Sequence, residues 1–271
     1  MAFHDDGYLV EADFISVRDL DLLNRELDDI LSHESHGGSS GYVRAGRNVR
    51  TIPNPALSVH SVNLIELAVR AWELSIQGGV SLPQDYILTN VQIYSEKDNP
   101  LPLFWHTDLR KGMIRAQVYL RGGKRDSGAF KFIQRSHMEF FPPDLHRLTD
   151  TEMADRLQHE RVFDEGPGAL VVFDSYGIHG KEICVAERRT VSFEYQQRGS
   201  TYPKSTVHLD TSLITDKVLD HVYLLRSAGD TTTYGEHGSQ AFHGASASSR
   251  LQKGKDTVMR SYQRLKAKRY S

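Results

Sequence analysis

Leu103-Phe104-Trp105-His106-Thr107-Asp108 is the stretch on which the reading of this 271-residue chain turns. Three apolar residues lead into a His-x-Asp. On a strand, alternation puts His106 and Asp108 on one face and Thr107 on the other, so an imidazole and a carboxylate point the same way. Taken alone the pattern is weak, because polar residues alternate on many strands. The rest of the chain has to supply a third donor and a β framework to hold the set.

Downstream, residues 168–175 read Gly-Ala-Leu-Val-Val-Phe-Asp-Ser and run into Tyr176-Gly177-Ile178-His179-Gly180. This is a buried-type strand that delivers a second histidine, His179, beside glycines that permit close approach. Arg188-Arg189-Thr190-Val191-Ser192-Phe193-Glu194-Tyr195 follows as another strand with two unlike faces. Arg188, Thr190, Ser192 and Glu194 share the polar face, and Arg189, Val191, Phe193 and Tyr195 share the apolar one. The apolar face is expected against helices. The polar face, if it lines a site, offers the two-pronged guanidinium of Arg188 to a carboxylate, with hydroxyls from Thr190 and Ser192 beside it.

Further strands are expected over residues 86–94, 114–120 and 129–134, with Asp126-Ser127-Gly128 as a turn. A polar helical insertion is expected around 151–157, after Pro142-Pro143. Upstream, Leu20, Leu23, Leu27, Ile30 and Leu31 recur at helical spacing behind Ser16, a suitable N-cap, and predict a helix over about 18–31. A second helix is predicted over 62–77, capped by Ser61 and stopped by Gly78-Gly79. Residues 32–46, with Gly37-Gly38-Ser39-Ser40-Gly41, read as a loop. Many short strands after two helices imply a closed or sandwiched β core with helices packed on one sheet.

A last helix is expected over about 210–226. Residues 227–249 are rich in Gly, Ser and Thr and read as linker or lid, and 250–271 as a basic surface tail. The expected organisation is therefore one domain over 1–226, with N-terminal helices in 1–80 and a core at about 84–197, followed by the tail 227–271. A net charge of −2 gives no reason to expect nucleic acid or a membrane as partner. The single cysteine, Cys184, excludes an internal disulfide framework and fits a reducing compartment. Met1-Ala2-Phe3-His4-Asp5-Asp6 lacks the basic-then-apolar pattern of a signal peptide, so the expected location is cytoplasmic.

Two imidazoles and one carboxylate can occupy one face of an octahedron and leave open positions, which is the donor set of non-haem Fe(II) oxygenases. At this point a resemblance becomes specific. The chain resembles the phytanoyl-CoA dioxygenase branch of the Fe(II)/2-oxoglutarate oxygenases. The resemblance is carried by Phe3-His4-Asp5-Asp6-Gly7-Tyr8-Leu9-Val10, His106-Thr107-Asp108, Arg115-Ala116-Gln117-Val118-Tyr119-Leu120, Ser127-Gly128-Ala129-Phe130 with Ser136-His137, and Gly168 through Gly180 with the arginine strand. These cover residues 3 to 197 in order.

The resemblance implies a mainly β fold with flanking helices, built on a double-stranded β-helix, the jelly-roll core shared with cupins. It implies Fe(II) held by His106, Asp108 and His179, and 2-oxoglutarate and O2 as co-substrates. Arg188 would meet the far carboxylate of the oxo acid, with Arg189 as the alternative. Ser192, Thr190, Gln92, Asn90 and Gln117 are further candidates for the oxo acid; Trp105, Arg115 and Tyr94 are candidates for substrate contact. His137 reads as structural. The implied reaction is hydroxylation of a small molecule with release of succinate and CO2, and the retained Asp108 argues against halogenation. The basic run Arg110, Lys111, Arg115, Arg121, Lys124 and Arg125 favours an anionic substrate. Two other classes compete: a non-catalytic jelly-roll binding protein, and a cupin-type metal enzyme that uses no oxo acid.

Overall fold

In the computed structural model, the described residues are 3–37, 42–43, 49–53, 62–80, 86–99, 103–108, 111–142, 145, 147–197 and 215. They form two antiparallel sheets. The larger has seven strands in the order β1-β9-β6-β11-β4-β3-β2, and the smaller has four in the order β5-β10-β7-β8. The strands are β1 (Tyr8–Glu11), β2 (Tyr42–Val43), β3 (Val49–Pro53), β4 (Tyr86–Glu96), β5 (Leu103–His106), β6 (Met113–Arg121), β7 (Phe130–Ile133), β8 (Glu160–Phe163), β9 (Leu170–Asp174), β10 (His179–Lys181) and β11 (Arg188–Gln197). From β4 to β11 the chain alternates between the sheets except at β7 and β8, which pair within the smaller one, and this makes the sandwich a double-stranded β-helix.

β11 lies at the centre of the larger sheet, paired with β4 on one side and β6 on the other. Its odd-numbered side chains Val191, Phe193 and Tyr195 join Val91 and Ile93 of β4 and Ala116 and Val118 of β6 in one apolar cluster. The Val17–Gly37 and Val62–Gln77 helices cover that face with Leu23, Leu27, Leu64, Leu67, Ala68, Ala71 and Trp72. Helical spacing of these residues on each helix produces the apolar stripe, and the sheet face supplies its partner. Trp72 is fully buried between Tyr86 and Tyr195, with ring centroids 5.1 and 4.8 Å away. The Tyr195 hydroxyl donates to the carbonyl of Ala68 at 2.6 Å and so ties sheet to helix.

The helix starts and stops follow the expected chemistry. Ser16 Oγ accepts from Asp19 N at 3.2 Å, and Gly78 N returns to Leu74 O at 2.9 Å. The helix expected over about 18–31, however, runs on to Gly37, and Tyr42–Val43 form β2, so these parts of 32–46 are not loop as expected. The insertion after Pro142 is shorter than expected: a helix over Asp150–Met153, closed by a Thr149/Glu152 capping box, and then β8. β1, β3 and β8 were not legible as strands, being short and without a clean period. Apart from Thr215, the helix expected over 210–226 and the segment 227–271 lie outside the described residues. No described helix is long and apolar enough to cross a membrane.

Replacing Trp72 by alanine removes the ring that joins helix to sheet, and is expected to cost about 3–5 kcal/mol. Urea unfolding followed by circular dichroism measures it.

Candidate metal centre

His106 ends β5 and His179 begins β10, and the antiparallel pairing of these strands sets the two residues directly opposite each other. Their ring centroids are 4.2 Å apart. Asp108 is not on the strand, which stops at His106; this corrects the expectation that alternation along one strand aligns the pair. A turn tied to the segment before His179 brings it in instead. Asp108 N donates to Ser175 O at 3.1 Å, and Thr107 Oγ1 donates to Tyr176 O at 2.7 Å. One donor atom from each of His106, Asp108 and His179 then lies within 4.8 Å of the others.

Both imidazoles are oriented through their Nδ1 atoms. His106 Nδ1 lies 2.9 Å from Phe104 O, and His179 Nδ1 lies 2.9 Å from Gly177 O. A carbonyl only accepts, so each Nδ1 carries the hydrogen and each Nε2 presents a lone pair. His179 Nε2 is buried and has no hydrogen-bond partner. Burial, with neighbouring His106 next in weight, pushes the His179 pKa down to about 3. Burial also lowers that of His106. The rings of Phe130 and Phe173, at 5.9 and 5.1 Å, wall His179 from water.

The carboxylate is held by a half-buried cation. Arg115 Nη2 lies 3.2 Å from Asp108 Oδ2 and 2.6 Å from Glu194 Oε1. Burial works against the Arg115 charge, but Glu194 and Asp108 outweigh it, and its pKa is raised. Asp108 Oδ2 is also 3.9 Å from His179 Nε2. Two neutral imidazoles with inward lone pairs and one oriented carboxylate fit a divalent transition-metal ion.

Register places the other candidates. Thr190 and Ser192 of β11 stand opposite Tyr94 and Gln92 of β4, and opposite Tyr119 and Gln117 of β6. Glu194 stands opposite Asn90 and Arg115. Gln92 accepts from the Tyr94 hydroxyl, and Gln117 Nε2 donates to Tyr119 Oη at 2.9 Å, so both glutamines have partners within the chain. Asn90 Oδ1, Thr190 Oγ1 and Ser192 Oγ are buried without one. Arg188 is on this inner face: its guanidinium donates to Glu96 at 3.1 Å, lies 5.8 Å from the Tyr119 ring, and leaves Nε without a partner. Gly128 makes room for it. A Cβ there would come within 2.6 Å of Arg188 Cδ, and its φ of +75° already disfavours other residues. Arg189 points to the opposite side, where it meets Asp28 of the first helix at 2.8 Å.

One expectation is corrected. Trp105 alternates away from His106 and lies beneath Lys131 Nζ, 4.5 Å from the ring, on the outer side of the smaller sheet. Within the basic run, Arg121 pairs with Glu187, Arg125 with Asp164, Lys124 bonds Asp164 O, Arg115 bridges Asp108 and Glu194, and Lys111 lies over the Tyr176 ring, while Arg110 is outside the described residues. His137 has a packing role, its Nε2 lying 3.0 Å from His4 O and its ring against Gly7. Sequence reasoning gave no role to Glu194, Lys181 or Glu96. Lys181 is two residues from His179 on one short strand, and that spacing was the signal available.

Replacing Arg115 by glutamine frees the Asp108 carboxylate, and a Co(II) titration is expected to show metal affinity about 10–100-fold weaker.

No protein-family model matches the sequence, and no curated protein is significantly similar to it. Solved structures do match the fold. EctD from S. alaskensis, with 2-oxoglutarate and 5-hydroxyectoine, superposes with a TM-score of 0.59 at 16% identity over 78% of each chain. The α-ketoglutarate-dependent carbocyclase SnoK from nogalamycin biosynthesis gives 0.56 at 15% identity, over 75% of this chain and 84% of its own. HygX from Streptomyces hygroscopicus, with nickel and 2-oxoglutarate, gives 0.55 at 18% identity over 73% and 86%. With two antiparallel sheets in the same sandwich, this chain has the double-stranded β-helix fold of the phytanoyl-CoA dioxygenase-like, 2-oxoglutarate-dependent enzymes.

Proposed function

We propose that the protein is an Fe(II)- and 2-oxoglutarate-dependent dioxygenase that hydroxylates a small molecule. The observation that carries this reading is the convergence of His106, Asp108 and His179 within 4.8 Å, with a buried, unpartnered Nε2 among the donor atoms. His106, Asp108 and His179 would hold the iron. Arg188, with Thr190 and Ser192, would hold the oxo acid by its far carboxylate. The bound iron, oxo acid and O2 supply the oxidising power, with succinate and CO2 as by-products.

The chain's own residues do the positioning. The carbonyls of Phe104 and Gly177 fix the tautomers, so the imidazoles need shed no proton to bind a metal. Arg115 fixes one oxygen of Asp108. Phe130 and Phe173 exclude water on the His179 side and favour oxidation of a bound organic molecule over solvent side reactions. The carboxylate at position 108 fills a position that an open halide site would need, so oxygenation is the expected outcome. Structures of the same fold accommodate small molecules: one of EctD contains 5-hydroxyectoine, and one of HygX contains hygromycin B. Arg115, Arg121, Lys124 and Arg125 of the basic run already have partners within the chain.

His106→Ala and Asp108→Ala are expected to abolish 2-oxoglutarate-dependent succinate formation by the Fe(II) protein. Full turnover in either variant without added metal would overturn the iron assignment. Arg188→Ala is expected to raise the 2-oxoglutarate KM at least tenfold, on the order of a charged hydrogen bond. Arg189→Ala should instead lower the urea midpoint and leave that KM in place; the reverse pattern would exchange the two roles.

A further inference from the structure

Arg188 does not stand alone at its end of the interior. Lys181 follows His179 by two residues on β10, so the pleat turns both inward, about 6.6 Å apart along the strand. Lys181 Nζ lies 2.7 Å from Glu96 Oε1, and Arg188 Nη1 lies 3.1 Å from Glu96 Oε2. Asn99 Nδ2 donates a further bond to Glu96 Oε1 at 2.5 Å. All three charged residues are buried: Glu96 is 2% exposed, Arg188 6% and Lys181 8%.

Two cations here share one carboxylate. Among the described residues no other acid is within ion-pair distance of either cation. A buried excess of one positive charge is costly until an anion meets it. Around that excess, Arg188 Nε, Thr190 Oγ1 and Ser192 Oγ have no partner. These are a guanidinium donor and two hydroxyls, the groups a carboxylate accepts from.

Resting on the proposed function, we infer that Lys181 is a specificity residue for the oxo acid, with Glu96 as the counter-charge that sets its effect. Glu96 bridges and orders the two cations and at the same time neutralises one of them. Lys181 supplies the charge that leaves Arg188 free to bind a second carboxylate. Without Lys181, Glu96 would satisfy Arg188 and close that end of the site to an anion. The arrangement selects a dianionic oxo acid over a monoanionic one of equal length.

The test is calorimetric binding of 2-oxoglutarate and of 2-oxopentanoate, the same chain without the far carboxylate, to the Co(II)-loaded protein. The readout is the ratio of the two affinities, which a merely structural role would leave unchanged. Lys181→Met is expected to lower the preference for 2-oxoglutarate at least tenfold, on the order of one lost charge-assisted contact. Lys181→Arg retains the preference. Glu96→Gln keeps or increases it, and Lys181→Met/Glu96→Gln restores it to within about threefold of the wild type, because the net charge is again that of one cation. An unchanged ratio in Lys181→Met, or a double variant as poor as Lys181→Met alone, overturns the inference. If Lys181→Met does not fold, Glu96→Gln decides, since loss of preference there contradicts the charge balance. Binding of neither oxo acid by the wild type would remove the proposed function itself, whereas intact selectivity in Lys181→Met removes only the role of Lys181.

Discussion

The pleat of β11 is the constraint on which the rest of the molecule depends. The strand is hydrogen-bonded on both edges, to β4 and β6, so its register cannot slip without breaking two ladders. Its side chains therefore leave in two fixed directions. Val191, Phe193 and Tyr195 go out to the helices, where Trp72 and Ala68 lock them, while Arg188, Thr190, Ser192 and Glu194 go into the sandwich. The apolar side supplies burial energy, and this allows the inner side to carry charges and hydroxyls that a core would not otherwise tolerate.

Those inner charges divide along the strand. Near the histidines, Arg115 bridges the carboxylates of Asp108 and Glu194. Toward the start of β11, Lys181 and Arg188 share Glu96 as their single anion among the described residues, and the balance of these three is one positive charge. A metal cation would meet the Asp108 carboxylate at one end, and a carboxylate would meet two cations at the other. Apart from Asp108, which a turn bonded to Ser175 holds, these residues sit on strands, so their positions are set before any ligand arrives and little reorganisation is needed on binding.

Much of this was legible in sequence because strand and helix periods are local. The helix over 62–77 was readable from Leu64, Leu67 and Ala71, and the two faces of β11 from alternation alone. Short strands such as β1 and β8 have too few residues to show a period, and they form because a sheet edge is present to receive them. Alternation misled at Asp108, where the strand had already ended and a turn bonded to Ser175 did the alignment. Trp105, adjacent in sequence to His106, was placed at the site by proximity and turned away from it by the same pleat that aims the histidine inward.

By itself the sequence determined the types of donor, their order along the chain and the face each would share with its strand neighbours. Those follow from side-chain chemistry and the two-residue period, which act over a few residues. Only the tertiary structure decided which charges meet. Glu96 pairs with Lys181 and Arg188 across 85 and 92 residues, and Arg115 joins Glu194 across 79. The physical reason is that an ion pair depends on distance in space, and that distance is set by which strands lie side by side rather than by spacing along the chain.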